Sequence, residues 1–249
     1  MLEVLAARRD GYPLISGHRG TGAHAPENTL AAFRRGWELG ADLLEFDVQR
    51  TRDGQVAVIH DASLERTTDG QGRVSDHTLA ELQALDAGSR FGPAFAGERI
   101  PSLQQVVAWA RGRIRLNIEL KAAPGTLGDL PEQVADICTG HGIAGQTLVI
   151  SSDHGAIRRI KERQPELAAA ICFGQLADPV AAAREARADV LNTGADRITP
   201  EFCALAHGAG LGVQCYMDDP GRARQLARGG VDFLDSDWPE VVRAAVRGA

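Results

Sequence analysis

Two short runs place carboxylates at two-residue spacing: Leu44-Glu45-Phe46-Asp47-Val48 and Leu116-Asn117-Ile118-Glu119-Leu120-Lys121. In an extended strand, residues i and i+2 share a face. Glu45 and Asp47 therefore oppose Leu44, Phe46 and Val48, and Asn117, Glu119 and Lys121 oppose Leu116, Ile118 and Leu120. If the apolar faces pack on helices, three anions and one cation project into a shared interior. Burying each anion unpaired would cost several kcal/mol. Internal ion pairs, Lys121 with Glu119 for instance, would relieve that repulsion, and so would a hard divalent cation. Three carboxylates on adjoining strands favour the cation, and all-oxygen ligation suits Mg²⁺ or Ca²⁺ rather than Zn²⁺. Glu45, Asp47 and Glu119 are the candidate metal ligands.

His18 closes one apolar run and His60 closes another, as His60-Asp61. An imidazole titrates near neutrality, so two of them beside a metal could divide general acid and base work. Arg19 and Lys121 are the candidate phosphate-binding cations, one as a bidentate fork and the other as a point charge. The other five histidines have no comparable context and read as structural.

These groups need rigid elements to converge. Short apolar runs recur at Pro13 to Ser16, Leu43 to Val48, Ile114 to Leu120, Thr147 to Ile150, Ala168 to Phe173, Asp189 to Leu191, Leu211 to Tyr216 and Val231 to Leu234. Helical segments lie between them. Asp178-Pro179, Thr199-Pro200, Asp219-Pro220 and Asp237-Trp238-Pro239 put a side-chain oxygen at or near an N-cap, and glycines such as Gly40, Gly112, Gly142, Gly210 and Gly230 sit where helices should stop. Eight strands alternating with helices predict a parallel sheet, and eight is the number that closes a (β/α)8 TIM barrel. A doubly wound open sheet is the alternative, but no G-x-G-x-x-G follows the first strand. Residues 50–100 break the rhythm with an extra run, Gln55 to His60, and a Gly-rich part. That is far longer than an ordinary βα connection, so the 249 residues are expected to form a single barrel domain with a small inserted subdomain after the second strand.

With 44% hydrophobic and 24% charged residues the chain has the composition of a globular protein. Lys+Arg 27 against Asp+Glu 33 leaves a formal charge of −6, which argues against a nucleic acid held by a basic surface. No apolar stretch approaches the roughly 20 residues that span a bilayer, so no stable membrane insertion is expected. Val4 to Ala7 is too short for a signal-peptide core. Four scattered cysteines without a C-x-x-C pair point to a reducing, cytoplasmic setting. Oligomeric state is not legible in the sequence.

The runs His18-Arg19-Gly20, Pro26-Glu27-Asn28-Thr29, Glu45-x-Asp47, Thr51-x-Asp53-Gly54, His60-Asp61, Arg66-Thr67-Thr68-x-Gly70-x-Gly72, Ile100-Pro101-Ser102-Leu103 and Ile118-Glu119-Leu120-Lys121 together resemble the glycerophosphodiester phosphodiesterase family. The resemblance implies a TIM barrel that hydrolyses small-molecule glycerophosphodiesters to glycerol 3-phosphate and an alcohol. It implies a divalent cation on Glu45, Asp47 and Glu119, and an acid/base pair in His18 and His60. Cys215, Asp218 and Asp153 depart from residues common in the family, at positions expected on the substrate side. A phospholipase-D-like lyase on the same barrel and a non-catalytic phosphometabolite binder are the alternatives, although no histidine or metal carboxylate is missing.

Overall fold

The computed structural model describes residues 11–121 and 127–248; the N-terminal run Val4 to Ala7 lies outside them. The described residues hold nine strands and nine α-helices, alternating except within the inserted segment. They run in the order β1 (Leu14–Gly17), α1 (Leu30–Glu38), β2 (Leu43–Arg50), β3 (Val56–Val58), α2 (Leu79–Ala84), α3 (Leu103–Ala110), β4 (Arg115–Leu120), α4 (Leu130–Gly140) and β5 (Thr147–Ser151). There follow α5 (His154–Arg163), β6 (Ala168–Phe173), α6 (Pro179–Ala186), β7 (Val190–Thr193), α7 (Pro200–Gly208), β8 (Gly212–Tyr216), α8 (Pro220–Gly229), β9 (Phe233–Ser236) and α9 (Pro239–Arg247).

Eight of the strands pair in parallel, and β1 joins both β9 and β2, closing the barrel. All eight apolar runs read from the sequence are barrel strands. The ninth strand, β3, lies antiparallel on β2 outside the ring. The period-two pattern separates two cores. Leu14, Leu43, Leu148, Ile150, Ala168, Ala170, Val190 and Phe233 fill the barrel interior, while Leu44, Phe46, Val48, Leu116, Ile118 and Leu120 pack outward with the helices. Between β2 and α3 the inserted segment carries β3 and α2 over a small core of its own, built on Ile59, Leu64, Val74, Leu82 and Ile100.

The capping residues behave as the sequence suggests at Asp178, Thr199 and Asp219, each accepting a backbone N–H of the first turn. Asp237 does not. The N-cap of α9 is Trp238, which makes no side-chain cap, and the Asp237 carboxylate points at a histidine instead. Every described helix is too short or too polar to cross a membrane.

Candidate active site

Glu45 and Asp47 rise from β2 and Glu119 from the neighbouring β4, where Asp47 and Glu119 are register partners. One carboxylate oxygen from each lies within 4.8 Å of the others. Glu119 lies one residue before the end of β4, Asp47 is level with it, and Glu45 follows the last β1–β2 pair at Leu44, so all three face the C-terminal mouth of the barrel, the usual place for chemistry in this architecture. Glu45 and Asp47 are almost wholly buried. Burial, with the Asp47 charge beside it, pushes the Glu45 carboxyl well above the usual carboxylate range. Lys121 lies against the same group, its Nζ 2.7 Å from Glu119 and 3.4 Å from Asp47. Burial opposes the Lys121 charge, but Glu119 and Asp47 hold its pKa above the ordinary lysine value.

The loops fix these carboxylates. Asn28, in the left-handed region at φ 60°, donates from Nδ2 to Asp47 Oδ2 at 2.9 Å and accepts the Asp47 N–H at 3.1 Å. The His18-Arg19-Gly20 turn follows β1, with Arg19 at φ 51° and Gly20 at φ 93°. That turn aims the Arg19 N–H at Glu45 Oε2, 2.9 Å away. It stays tight because Gly36 of α1 packs on it: a Cβ there would lie 2.2 Å from the Gly20 carbonyl oxygen. Thr29 then starts α1 by accepting the Ala32 N–H.

Each candidate histidine is oriented by a carboxylate at Nδ1. His18 donates to Asp237 Oδ1 at 2.8 Å, and its Nε2 lies 3.9 Å from Glu45 Oε2. Burial works against its charge, yet the hydrogen bond to Asp237 and the Glu45 and Asp237 charges outweigh it and raise His18 to about 9. The Tyr216 ring meets the imidazole edge-on at 4.8 Å. Its hydroxyl donates to Asp218 and lies 3.1 Å from Asp237 Oδ2. His60 pairs with Asp61 at 2.6 Å. Gln49 Nε2 reaches the backbone carbonyls of Ile59, His60 and Asp61, pinning the inserted segment to the end of β2.

A chain of ion pairs joins the two halves. The Arg66 guanidinium spends all three nitrogens on Asp61 and Glu27. Glu27 also takes Arg19 Nη1 at 2.9 Å, and Arg19 Nε lies 3.7 Å from Asp47. The hydrogen bond from Arg66 is the main influence on Asp61 and holds its carboxyl down at about 2. His18, Arg19, Lys121 and the three carboxylates are therefore in direct contact. His60 joins them through Asp61, Arg66, Glu27 and Arg19.

A sequence profile for the glycerophosphoryl diester phosphodiesterase family matches residues 18–241. The chain belongs to that family. A glycerophosphodiester phosphodiesterase of Caldanaerobacter subterraneus is 35% identical over 237 residues, covering 94% of this chain and 98% of its own. The barrel superimposes with TM-score 0.82 on a glycerophosphodiester phosphodiesterase from Agrobacterium tumefaciens, at 30% identity over 94% of this chain and 99% of that one. It superimposes with TM-score 0.86 on an Oleispira antarctica phosphodiesterase in complex with the product sn-glycerol-3-phosphate, at 28% identity over 95% and 97%. As in the rest of the family, the chemistry is phosphoric diester hydrolysis.

Five residues of the site carry no assigned role in the sequence reading: Asn28, Glu27, Asp61, Arg66 and Asp237. The first four fall in motifs that carry the family resemblance, but only partner geometry reveals what they hold. Asp237 looks like a helix cap and gives no other signal. Of the three departures from the family pattern, Cys215 is corrected: it is fully buried and faces the helix layer, because its strand neighbour Gln214 takes the inward side. Asp218 accepts from Ser236 Oγ and the Asp237 N–H, bracing the loop that carries the partner of His18. Asp153 caps α5.

Proposed function

We propose that the protein hydrolyses glycerophosphodiesters to sn-glycerol 3-phosphate and an alcohol, using a divalent cation, Mg²⁺ or Ca²⁺, and acid/base catalysis by His18 and His60. One observation carries this reading. Three carboxylates converge at the barrel mouth, and two imidazoles, each tethered at Nδ1 by its own carboxylate, belong to the same bonded group. The Oleispira antarctica relative holding glycerol 3-phosphate supports the substrate class.

The residues present fit a hard cation. The donor set is all oxygen, and burial, followed by the Asp47 charge, raises the Glu45 pKa, an unfavourable placement of negative charge that a cation would relieve. Glu45, Asp47 and Glu119 would hold it. When bound, it neutralises phosphoryl charge and polarises a phosphoryl oxygen.

The chain's own groups do the remaining work. Arg19 and Lys121, both aimed at Asp47, bind the other phosphoryl oxygens. Phosphoryl transfer asks mainly for such positioning and charge stabilisation. One imidazole takes the proton of the attacking oxygen as the new P–O bond forms. The other gives a proton to the alcohol oxygen as the old P–O bond breaks. Each transfer is worth about 10²–10⁴-fold. Asp237 and Asp61 keep both rings in one tautomer, with Nε2 free for the reacting oxygens. The four cysteines are free thiols, which suits a reducing cytoplasm.

The test is release of glycerol 3-phosphate from a panel of glycerophosphodiesters, with and without EDTA, for wild type, H18A and H60A. Cation-dependent release, lost in both variants, is expected. Release at wild-type rates in both variants removes the acid/base assignment, and release indifferent to EDTA removes the metal.

A further inference from the structure

A crevice of about 160 Å³ opens between the first βα loop and the inserted segment, lined in part by Gly22, Glu27, Arg66, Thr67, Arg90 and Phe91. Residues at both of its ends contact the carboxylates that orient the histidines. At one end a Cβ on Gly22 would sit 3.0 Å from Asp237 Oδ1, the partner of His18. At the other, Arg66 grips Asp61, the partner of His60. A group filling the crevice would therefore lie one residue removed from each histidine–carboxylate pair, behind Gly22 on one side and Arg66 on the other, within reach of the far end of a departing alcohol.

The charges in the crevice are unequal. Both Glu27 oxygens are taken by Arg66 and Arg19, and all three Arg66 nitrogens are spent on Glu27 and Asp61. These groups cancel one another. Arg90 is different: its Nε donates to the Thr68 carbonyl, and its terminal nitrogens hydrogen-bond to no protein atom among the described residues. Its neighbour Phe91 is 44% exposed, and the Phe91 ring stands edge-on to Phe95 at 5.3 Å. The crevice thus offers one uncommitted guanidinium, an open aromatic ring and the Thr67 side chain.

We infer that this crevice is the leaving-alcohol subsite and that Arg90 selects small alcohols ending in an anion, a carboxylate or a phosphate monoester, over those ending in a quaternary ammonium. The guanidinium pairs with the anion bidentately, whereas a trimethylammonium head meets a like charge. This rests on the diesterase reading above. An ion pair at a partly exposed site is worth up to about fivefold in binding.

The test uses three diesters of glycerol 3-phosphate, with 3-hydroxypropionate, 1,3-propanediol and choline, on wild type, R90Q and R90K. R90Q should lower kcat/KM for the hydroxypropionate ester about three- to fivefold and leave the propanediol ester within twofold. The choline ester should be unchanged or improved. R90K should retain part of the preference. Saturation-transfer NMR with free 3-hydroxypropionate, which needs no turnover, should show contact with wild type and a weaker contact with R90Q. Equal effects of R90Q on all three esters, or NMR contact indifferent to R90Q, overturn the subsite. If wild type cleaves none of the esters, the diesterase reading fails and the NMR experiment alone decides the crevice.

Discussion

Replacing Asp237 by Asn probes the electrostatics of the site most directly, because it removes a charge and keeps an acceptor beside His18 Nδ1. In the folded, metal-free protein His18 stands at about 9 against an ordinary 6.5. At 1.36 kcal/mol for each tenfold change, that gap bounds its contribution at about 3 kcal/mol. The side chain is only 23% exposed, so water screens the gap modestly. Asp237 supplies the hydrogen bond and part of the charge, and Glu45 supplies the rest, so D237N should forfeit about 1–2 kcal/mol. The sign follows from a raised folded pKa: the stabilisation is fully present below pH 6.5 and is lost as pH rises through 9. The assay is NMR titration of the His18 imidazole, with denaturant unfolding at pH 6 and pH 9.5, both in EDTA. The D237N midpoint should fall toward 6.5, and the stability gap to wild type should be largest at pH 6 and nearly closed at pH 9.5. An unchanged midpoint, or a gap equal at the two pH values, refutes this account of His18.

Asn28 holds both the backbone and the carboxylate of Asp47, and N28A should weaken divalent-cation affinity about 10–100-fold by calorimetry, as loss of a ligand's supporting partner does. Arg66 orients His60 through Asp61, and R66A should lower kcat about tenfold with KM little changed, with R66K recovering part of it. Because Arg66 depresses Asp61, R66A should also move the acid limb of the rate profile to higher pH: the Asp61 contribution, now present above pH 3.8 and lost as pH falls through about 2, would start to fail sooner. Gly36 to Ala drives a methyl into the Gly20 carbonyl and should cost about 1–3 kcal/mol in unfolding experiments, with a fall in activity because that turn carries His18 and Arg19.

The barrel was legible because its signals are local. Period-two alternation in 43–48 and 115–120 assigns Glu45, Asp47 and Glu119 to the interior, and the structure places them there. The apolar runs and Pro-headed helix starts depend on neighbours a few positions away. What escaped depends on long-range geometry. Asp237 and His18 are 219 residues apart in sequence, and Asp-x-Pro reads as a cap whether or not a histidine waits across the barrel seam. Cys215 was misplaced because the resemblance assigns a position to the substrate side, whereas the pleat turns its side chain outward. Arg66 sits in a recognisable motif, yet its partner Glu27 lies 39 residues away, and nothing in its immediate sequence announces a bridge.

Charge explains why so much of this machinery goes into holding carboxylates. Six acids are paired directly with the cations and imidazoles of the site, Glu27, Glu45, Asp47, Asp61, Glu119 and Asp237, with Asp218 and Asp235 standing beside them. The permanent cations bonded to them are three, Arg19, Arg66 and Lys121. With both imidazoles neutral and all six ionised, these acids outnumber the cations by three, a field that repels a phosphodiester anion. One protonated imidazole removes a single charge, which is too little. A divalent cation on Glu45, Asp47 and Glu119, together with one protonated imidazole, brings the six acids to balance and lets an anionic substrate approach. The fixed ion pairs have a separate role: Glu27 and Asp61 hold Arg66 and lock the inserted segment onto the barrel, so the charge left for substrate is set by the carboxylate trio, Arg19, Lys121 and the two imidazoles. Loss of any one of the three ligands therefore changes substrate binding as well as cation binding, because the same excess of negative charge governs both.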